Sequence, residues 1–495
     1  MKRRLIAITL VLTCILSLSL TGCGGSESES AKTNELNVAL SAKFPSLDPN
    51  SYPSDISRLV MENLLEVNYK DSELEPGIAE SWEVSPDGLI WDFKIRKDVT
   101  FHNGDPLTVE DVLYSAKLCA DSPSGYGYEN AKFEITGENE FRITYPDYTN
   151  LRIYDAVIPI VNADQFEKLG DNAYWEQLIG SGPYKLESYD SATGVAKLVK
   201  NDKYWGEAGK LDKITFRVIS DVTSGLIALQ KGEIDFAQID SSIYSSVEED
   251  ENLETAFSIP CLANILVFNT QEKPTSDKRF RQAVNFAIDR NLVAQAGEIK
   301  GNYEVADAFY ASVWGDKPEG LSVYEYNPDK AKKLLKDMGV KIPVDLGKVS
   351  ILSEQKSMME IVKQNLEDVG IKMELETLDS VAHLDNLKGN SFKLGVTQPM
   401  DVNSAPVWTF YSFFNSGINY AKCNDAELDK LAGSVYTDTD QAKVVKSEAD
   451  LMRIATDESL YGMMYLKGRP FAFAKGLKVD MSDTRNRHFE NFYWE

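Results

Sequence analysis

The chain has 495 residues, which is more than one hydrophobic core usually supports, so we expect two or more lobes. Its hydrophobic content of 43% and charged content of 26% are ordinary for a globular protein. The formal net charge of -25 argues against a nucleic-acid-binding protein and against a basic surface that contacts membranes.

The N-terminus has the three parts of a bacterial secretory signal. Residues 2–4 are positively charged, and residues 5–20 form an apolar stretch that is short for a membrane span. The stretch ends in LTGC at residues 20–23, which resembles the lipobox, in which the cysteine is lipidated and becomes N-terminal. We therefore expect a lipoprotein signal peptide at 1–22, a lipid on Cys23 and a flexible tether at 23–35. An ordinary secretory signal with an incidental cysteine is the alternative.

The remaining cysteines exclude two kinds of site. Once Cys14 is lost with the signal and Cys23 is lipidated, an odd number of widely spaced cysteines is left: Cys119, Cys261 and Cys423. This pattern is not a disulfide framework, and the chain contains no CxxC pair for metal or redox chemistry. No later segment is long and apolar enough to span a bilayer. We therefore expect the protein to be held outside the membrane by its lipid.

The N-terminal half predicts strands and helices in alternation. Residues 54–67 place apolar side chains at helical spacing, and Thr108 with Asp111 forms a capping box for a helix through Lys117. Turns are predicted at 86–88 and 103–105, where glycine accepts a positive φ. Strands are predicted at 36–40, 90–95, twice within 180–205, at 213–221 and after a helix that ends near Gly232.

The C-terminal half continues this alternation. One amphipathic helix is predicted after a cap at Ser276 or Asp277, and its apolar face comprises Phe280, Val284, Ala287, Ile288 and Leu292. Another begins at the Asn327 cap, and a third precedes Gly370 and a strand. Two prolines, Pro399 and Pro406, flank Asp401 and predict a loop there, before an aromatic helix. The mixture indicates an α/β protein.

Catalytic motifs are missing from the sequence. The chain has 3 histidines, widely separated, and lacks the GxSxG, HExxH, Walker and GxGxxG patterns. Histidine and cysteine are also too scattered for a zinc site. Paired carboxylates of a hydrolase stay possible in so acidic a chain, but nothing in the sequence supports them. We therefore expect a binding protein rather than an enzyme.

A series of short motifs resembles the family 5 extracellular solute-binding proteins of ABC importers, which take up oligopeptides, dipeptides, nickel chelates and some glycosides. The motifs occur in order along nearly the whole mature chain. They are FPSLDP at 44–49, PGIAESW at 76–82, FHNGDPLTVEDV at 101–112, SGPY at 181–184, NDKYW at 201–205, GEID at 232–235, RQA at 281–283 and AIDR at 287–290. Each motif alone is weak, but their number and order are specific.

The resemblance implies an α/β, bilobal, periplasmic-binding-protein-like fold of class II, often called a Venus flytrap, with an extra domain in the N-terminal lobe. Lobe I is expected to contain residues 36–62, 181–268 and 478–495. The extra lobe II is expected at 63–180 and lobe III at 269–477. The two crossings near residues 268 and 478 are expected to form the hinge, and ligand binding between the lobes closes it.

The resemblance also implies which residues contact the ligand. In peptide-binding members a lobe III carboxylate pairs with the ammonium group of the peptide, and Asp401 stands at that position. The other candidate contacts are Trp408, Tyr411, Phe44, Tyr126, Tyr128 and Asn264. The alternatives are an exposed loop acid at Asp401, core packing of Trp408 and Tyr411, and exposed loop positions for Tyr126 and Tyr128. No catalytic residue, metal ligand or cofactor is expected.

The leading hypothesis is a lipid-anchored, monomeric receptor that captures a short peptide and delivers it to the ABC permease subunits in the membrane. The same fold could instead bind a nickel chelate, an opine-like compound or a sugar. A secreted hydrolase with paired carboxylates is an alternative from a different class. We expect no nucleic-acid partner.

Overall fold

The structure is a computed structural model that describes residues 34–68, 73–122, 126–397, 400–402, 406–483 and 487–495. The predicted signal peptide, the lipidation site Cys23 and nearly all of the tether lie outside these residues. Within the described residues, no helix is both long and apolar enough to cross a membrane.

The first sheet has seven strands within the described part of the chain. Its centre is Glu35–Leu40, which runs parallel to both neighbours and buries Leu36, Val38 and Leu40 at alternate positions. The spatial order of its strands is Leu253–Phe257, Pro470–Ala474, Phe236–Gln238, Glu35–Leu40, Lys213–Val218, Val195–Lys200 and Tyr184–Asp190. The sheet therefore combines segments from both ends of the chain.

The second sheet is built around Leu262–Phe268, which is buried on both faces. Ala263, Ile265 and Val267 join one hydrophobic core, and Leu266 and Phe268 join another. A strand covered on both faces is expected to be a continuous apolar run, which this segment is. The other strands of the sheet are Tyr303–Val305, Tyr461–Lys467, Leu394–Val396 and Met400–Asp401.

A third, antiparallel sheet lies within the segment predicted as lobe II. Its strands, in spatial order, are Ala79–Val84, Ile90–Ile95, Glu140–Thr144 and Lys132–Gly137. The helix Val109–Ala120 packs on it through Val109, Val112 and Ala116. Smaller two-stranded sheets pair Leu65–Asn68 with Glu73–Pro76, Val344–Ile351 with Ile371–Thr377, and Leu477–Lys478 with Tyr493–Trp494.

Helices cover the sheets and connect their strands. The α-helices of the described residues are Asp55–Val60, Val109–Ala120, Arg152–Asp155, Ala163–Leu169, Asp171–Gln177, Val222–Gln230, Tyr244–Glu248, Lys278–Ala287, Arg290–Gly297, Pro328–Asp337, Lys356–Asp368, Ser380–Lys388, Pro406–Phe414, Ala426–Thr437 and Gln441–Asp457. Short 3₁₀ helices lie at Tyr126–Tyr128, Ser312–Trp314, Ser353–Gln355 and Phe489–Asn491. The mixed α/β class is the predicted one.

Local capping signals are confirmed. The Thr108 backbone N–H donates to Asp111 Oδ2 over 2.8 Å, as the capping box requires. The Lys330 N–H donates to Asn327 Oδ1 over 2.9 Å at the start of Pro328–Asp337. Gly339, which follows that helix, has φ +69°, a conformation that glycine adopts at little cost.

Two predicted helices are wrong in extent. The helix predicted over 54–67 ends at Val60, because the Leu64 and Leu65 N–H groups donate instead to the carbonyls of Ile158 and Ala156. The helix predicted through Leu292 ends at Ala287. A new helix begins after Asp289, whose side chain caps it, and Leu292 is exposed on that second helix. Pairing with distant segments and a local cap override the apolar spacing.

The segment predicted as a loop around Asp401 also differs. Met400–Asp401 is a short strand that pairs antiparallel with Leu262–Phe268, with Asp401 opposite Leu262. The aromatic helix after it begins at Pro406, as expected. This pairing fixes Asp401 to the edge of the second sheet.

Two chain crossings connect the first and second sheets, and they lie side by side. The chain leaves the first sheet after Phe257 and returns to it at Pro470. The Ser258 N–H donates to the Arg469 carbonyl over 3.0 Å, and the Arg469 N–H donates to Ser258 Oγ over 2.8 Å. Both crossings precede the positions near 268 and 478 where the sequence places the hinge, so Leu262–Phe268 belongs to the second sheet.

Gly468 should not tolerate a side chain at these crossings. A Cβ at this position would lie 2.2 Å from the Ser258 carbonyl oxygen and 2.9 Å from Asn302 Oδ1. We expect Gly468→Ala to lower the free energy of unfolding by about 1–3 kcal/mol, because the backbone must shift to relieve the overlap. Denaturant unfolding measures this change.

Gly433→Ala is the matched control. Gly433 lies inside Ala426–Thr437, and a Cβ there would have no atom within 4 Å. Alanine in a helix interior is favoured over glycine by up to about 1 kcal/mol, so the control should be neutral or stabilised. Equal unfolding free energies for Gly468→Ala and wild type would contradict the close approach of the two crossings.

Candidate ligand-binding cleft

A cleft of about 1560 Å³ is lined by residues from all three predicted lobes. One wall comes from residues 49–67, a second from 119–159, and the third includes Asp401, Trp408 and Tyr436. Arg469, at the return crossing, also lines it. Groups that are far apart in sequence therefore converge on one space, as a ligand enclosed between lobes requires.

Three of the predicted contact residues line this cleft: Asp401, Trp408 and Tyr128. The Trp408 side chain is 48% exposed, whereas its helix neighbours Phe410 and Phe413 are buried in the core. Tyr128 is largely buried, and its hydroxyl donates to the Asp155 carbonyl. The Tyr128 ring therefore belongs to the wall, and Trp408 is the more accessible aromatic surface.

Three other predicted contacts lie away from the cleft lining. Tyr411 packs behind Trp408, between that ring at 6.0 Å and the Tyr436 ring at 4.4 Å. Phe44 packs against the core of the first sheet, and Asn264 is 1% exposed within the second sheet. The side chain of Tyr126 lies outside the described part of the structure. Helical spacing explains Tyr411, and the double-faced burial of Leu262–Phe268 explains Asn264.

Asp401 is held in a polar group that the sequence analysis missed. The adjacent Val402 N–H donates to the Cys261 carbonyl over 3.0 Å. Burial and the neighbouring Asp401 carboxylate raise the pKa of Cys261 to about 12, although Arg469 opposes this shift. The thiol is therefore protonated at neutral pH and can donate a hydrogen bond to Asp401. These residues are separated by more than sixty positions in sequence, so only the fold brings them together.

Two neighbouring glutamates, Glu62 and Glu66, lie on the segment predicted as helix. Glu66 lines the cleft and accepts a 2.8 Å hydrogen bond from Asn63 Nδ2. Glu62 is buried behind it and accepts a 2.7 Å hydrogen bond from the Tyr204 hydroxyl. Burial, together with the nearby Glu66 carboxyl, raises the pKa of Glu62 to about 8, and burial also raises the pKa of Glu66. Glu62 is therefore mainly protonated at neutral pH.

Arg152 holds the wall contributed by the third-sheet segment. Its guanidinium donates to Asp155 Oδ2 over 2.7 Å and also bonds Asp147 and the Gly127 carbonyl. The guanidinium carbon lies 4.4 Å from the centre of the Tyr145 ring, in a cation–π arrangement. With its donors committed within the chain, Arg152 serves to hold the wall together.

The described part of the chain contains no preformed metal site. No three or more histidine, cysteine, aspartate or glutamate side chains in these residues are grouped so that they could hold an ion. The cysteines described, Cys119, Cys261 and Cys423, form no disulfide bond with one another. The arrangement in the cleft offers charged and aromatic contacts for an organic ligand.

Comparison with known proteins identifies the family. A model of the bacterial extracellular solute-binding proteins, family 5 (middle), matches residues 73–421. The chain belongs to this family. The predicted family is thereby confirmed, and its members are solute-binding proteins that act outside the cytoplasm, in agreement with the predicted export.

Individual relatives agree with the family and extend over most of this family 5 protein. The oligopeptide-binding protein AppA of Bacillus subtilis (strain 168) is 26% identical, covering 97% of this chain and 96% of its own length. The nickel-binding periplasmic protein of Escherichia coli (strain K12) is 26% identical, covering 72% of this chain and 74% of its own. The crystal structure of NikA from Brucella suis in complex with Fe(III)-EDTA has a TM-score of 0.80 at 24% identity, covering 93% and 100% of the two chains. This similarity confirms the predicted periplasmic-binding-protein-like fold.

Glu62 should make the stability of this family 5 protein depend on pH. Its pKa is about 8 in the folded chain and about 4.5 in an unfolded one. The free energy of unfolding therefore has its full value with respect to Glu62 below pH 4.5 and decreases as the pH rises toward 8. Glu62→Gln keeps the neutral form at every pH. Since each pKa unit corresponds to about 1.4 kcal/mol, the variant should exceed wild type by a few kcal/mol at pH 8 and match it at pH 4.5.

Denaturant unfolding at both pH values provides the measurement, with Glu83→Gln as the control. Glu83 is exposed on the strand Ala79–Val84, so its substitution should leave the pH dependence unchanged. If wild type and Glu62→Gln lose the same free energy of unfolding between pH 4.5 and pH 8, Glu62 is not buried in its protonated form.

Proposed function

We propose that this protein captures a short peptide in the cleft and delivers it to an ABC-type import permease. In this proposal the protein works as a monomer outside the cytoplasmic membrane, where a lipid on Cys23 anchors it. The oligopeptide-binding relative supports the ligand class. The single observation that carries the proposal is the size and lining of the cleft.

The volume favours a peptide over a small solute. Pockets for small molecules usually enclose about 300–1,000 Å³. The cleft here is about 1560 Å³ and is lined by Asp401 and Trp408 on one side and by Arg58 and Glu66 on another. A peptide fills such a space with a backbone of alternating donors and acceptors and with side chains of mixed character. A chelated metal ion alone leaves most of it empty.

Asp401 is the proposed anchor for the peptide ammonium group. The carboxylate is half-buried at the cleft wall, and its backbone is fixed by the pairing of Asp401 with Leu262. A charge-assisted hydrogen bond in such a place contributes about 1.5–3 kcal/mol. Trp408, whose ring is exposed while its helix neighbours Phe410 and Phe413 are buried, supplies apolar contact with few rotatable bonds. Together they set the register of the bound peptide.

We propose that the lobes meet at the observed crossings. Lobe I corresponds to the first sheet, lobe II to the segment 63–180 with the third sheet, and lobe III to the second sheet and its helices. The Gly182 N–H donates to the Val60 carbonyl over 2.9 Å, so the two ends of lobe II lie together. Rotation about the Ser258 and Arg469 crossings then opens and closes the cleft.

A chelated metal is the second candidate ligand, because the nickel-binding relative covers most of its own length and of this chain. Isothermal titration calorimetry with a pool of short peptides, nickel chelates and sugars decides between these ligand classes. Heat from peptides alone supports the proposal, whereas heat from chelates alone contradicts it. Release of cleaved products during the titration would favour the hydrolase alternative.

Asp401→Asn should weaken the binding of peptides with a free amino terminus. We expect the dissociation constant to rise about ten- to a hundredfold, because the substitution removes the charge while keeping the shape of the side chain. Binding of the same peptides after N-terminal acetylation should change little between wild type and variant. Calorimetry with each peptide pair measures both effects.

Asp385→Asn is the matched control for that experiment. Asp385 is exposed on the helix Ser380–Lys388, away from the cleft lining, and its substitution changes the net charge by the same amount. Equal affinities of wild type and Asp401→Asn for free-amine peptides would show that Asp401 is not the ammonium anchor.

Cys23→Ser should abolish lipid attachment. When the full chain is expressed in a bacterial host with a radiolabelled fatty acid, wild type should incorporate the label and Cys23→Ser should not. Cys14→Ser is the control, because Cys14 lies inside the predicted signal stretch and should be removed with it. Label retained by Cys23→Ser would contradict the proposed anchor.

A further inference from the structure

One asparagine joins the wall of lobe II to lobe III across the side of the cleft. The Asn150 N–H donates to the Tyr436 carbonyl over 2.8 Å. Its side-chain Nδ2 donates to the Val435 carbonyl over 2.8 Å and to the Asp438 carbonyl over 3.1 Å. Gln441 Nε2 donates to Asn150 Oδ1 over 3.2 Å. These groups are nearly three hundred residues apart in sequence.

The bonded carbonyls explain why this contact is specific. Val435 and Tyr436 lie in the last turn of the helix Ala426–Thr437, where carbonyl groups have no partner within their own helix. Asn150 supplies the missing donors from another lobe. Both N–H donors of its side-chain amide are used by the carbonyls of Val435 and Asp438. Its Oδ1 accepts from Gln441 and also from the Tyr148 hydroxyl. No other amino acid offers two N–H donors and an acceptor at this length.

The contact is part of the cleft wall. Thr149, Leu151 and Arg152, which surround Asn150 in sequence, line the cleft, and Tyr436 lines it from the opposite lobe. Tyr436 stacks on Tyr411 at 4.4 Å, and Tyr411 packs in turn against Trp408. A separation of Asn150 from the helix end therefore opens the cleft at this side and frees the aromatic stack that supports Trp408.

We propose that Asn150 is a clasp that holds lobe II against the end of the helix Ala426–Thr437 and controls how fast ligand leaves the cleft. Asn150 is a positioning residue, because it acts through Tyr436 and is not itself part of the lining. The effect on ligand release rests on the proposed peptide-binding function. The contact between the lobes does not, so the two can be tested apart.

Asn150→Asp is the decisive variant. It keeps the size of the side chain, removes both amide donors and places a carboxylate beside two carbonyl groups. Hydrogen exchange of the residue 150 amide, which bonds across the contact, should become faster, and small-angle scattering should show a larger radius of gyration. For a bound peptide, stopped-flow kinetics should show dissociation roughly tenfold faster, with little change in association, because two ordinary hydrogen bonds are lost.

Gln441→Ala tests the same clasp from the other lobe, and Asn172→Asp is the matched control. Gln441→Ala removes one of the bonds to Asn150 and should speed amide exchange and peptide release by a smaller factor. Asn172 is exposed on the helix Asp171–Gln177 of lobe II and should leave every measurement at its wild-type value. Asn172→Asp therefore controls for the change from amide to carboxylate, and Gln441→Ala removes a bond to Asn150 without adding a charge.

Two outcomes overturn the clasp. Unchanged amide exchange and scattering in Asn150→Asp would show that the contact does not hold the lobes together, whatever the ligand does. Unchanged peptide dissociation alongside a looser lobe contact would show that the clasp does not govern release. If wild type bound no peptide at all, the proposed function would fail, while exchange and scattering would still decide whether the lobe contact exists.

Discussion

The structure depends on one constraint. The chain passes from the first sheet to the second and later returns, and these two crossings must lie side by side. Reciprocal hydrogen bonds between Ser258 and Arg469 hold the crossings together, and Gly468 permits their backbones to approach. Because few covalent connections join the sheets, the space between them is free to become a cleft. The same crossings carry Arg469 to the cleft wall and place the buried Cys261 beside Asp401. The crossings and the cleft are therefore built from neighbouring residues.

The elements set by local chemistry could be predicted from the sequence, and the ones set by distant pairing could not. The capping box of Thr108 and Asp111 and the Asn327 cap each satisfy a helix end within a few residues. The sequence around each cap is therefore enough to predict it. The stretch after Val60 has helical spacing, but its N–H groups find carbonyls near residue 157. A spacing pattern contains no information about such a partner, and tertiary pairing outweighs propensity.

The candidate site divides in the same way. Asp401 was identifiable from the position of a carboxylate in the family and Trp408 from the aromatic run that follows it, and both line the cleft. Arg469, Glu66 and Asn150 were missed, because nothing near them in sequence marks them as cleft residues. Asn264 lies on the strand Leu262–Phe268, but both faces of that strand are buried, so the side chain has no route to the cleft. Which face of a strand meets solvent depends on the elements that cover it.

The charged side chains that line the cleft differ in how many hydrogen bonds and ion pairs they form within the chain. Arg152 donates hydrogen bonds to Asp147, Asp155 and the Gly127 carbonyl, and it therefore holds a wall of the cleft in place. Arg58 also lines the cleft, where burial raises the pKa of the neighbouring Glu66 carboxyl overall and the charge of Arg58 opposes that rise. The hydrogen bonds of Arg152 therefore fix part of the cleft wall, while Trp408 presents an exposed ring to the same space.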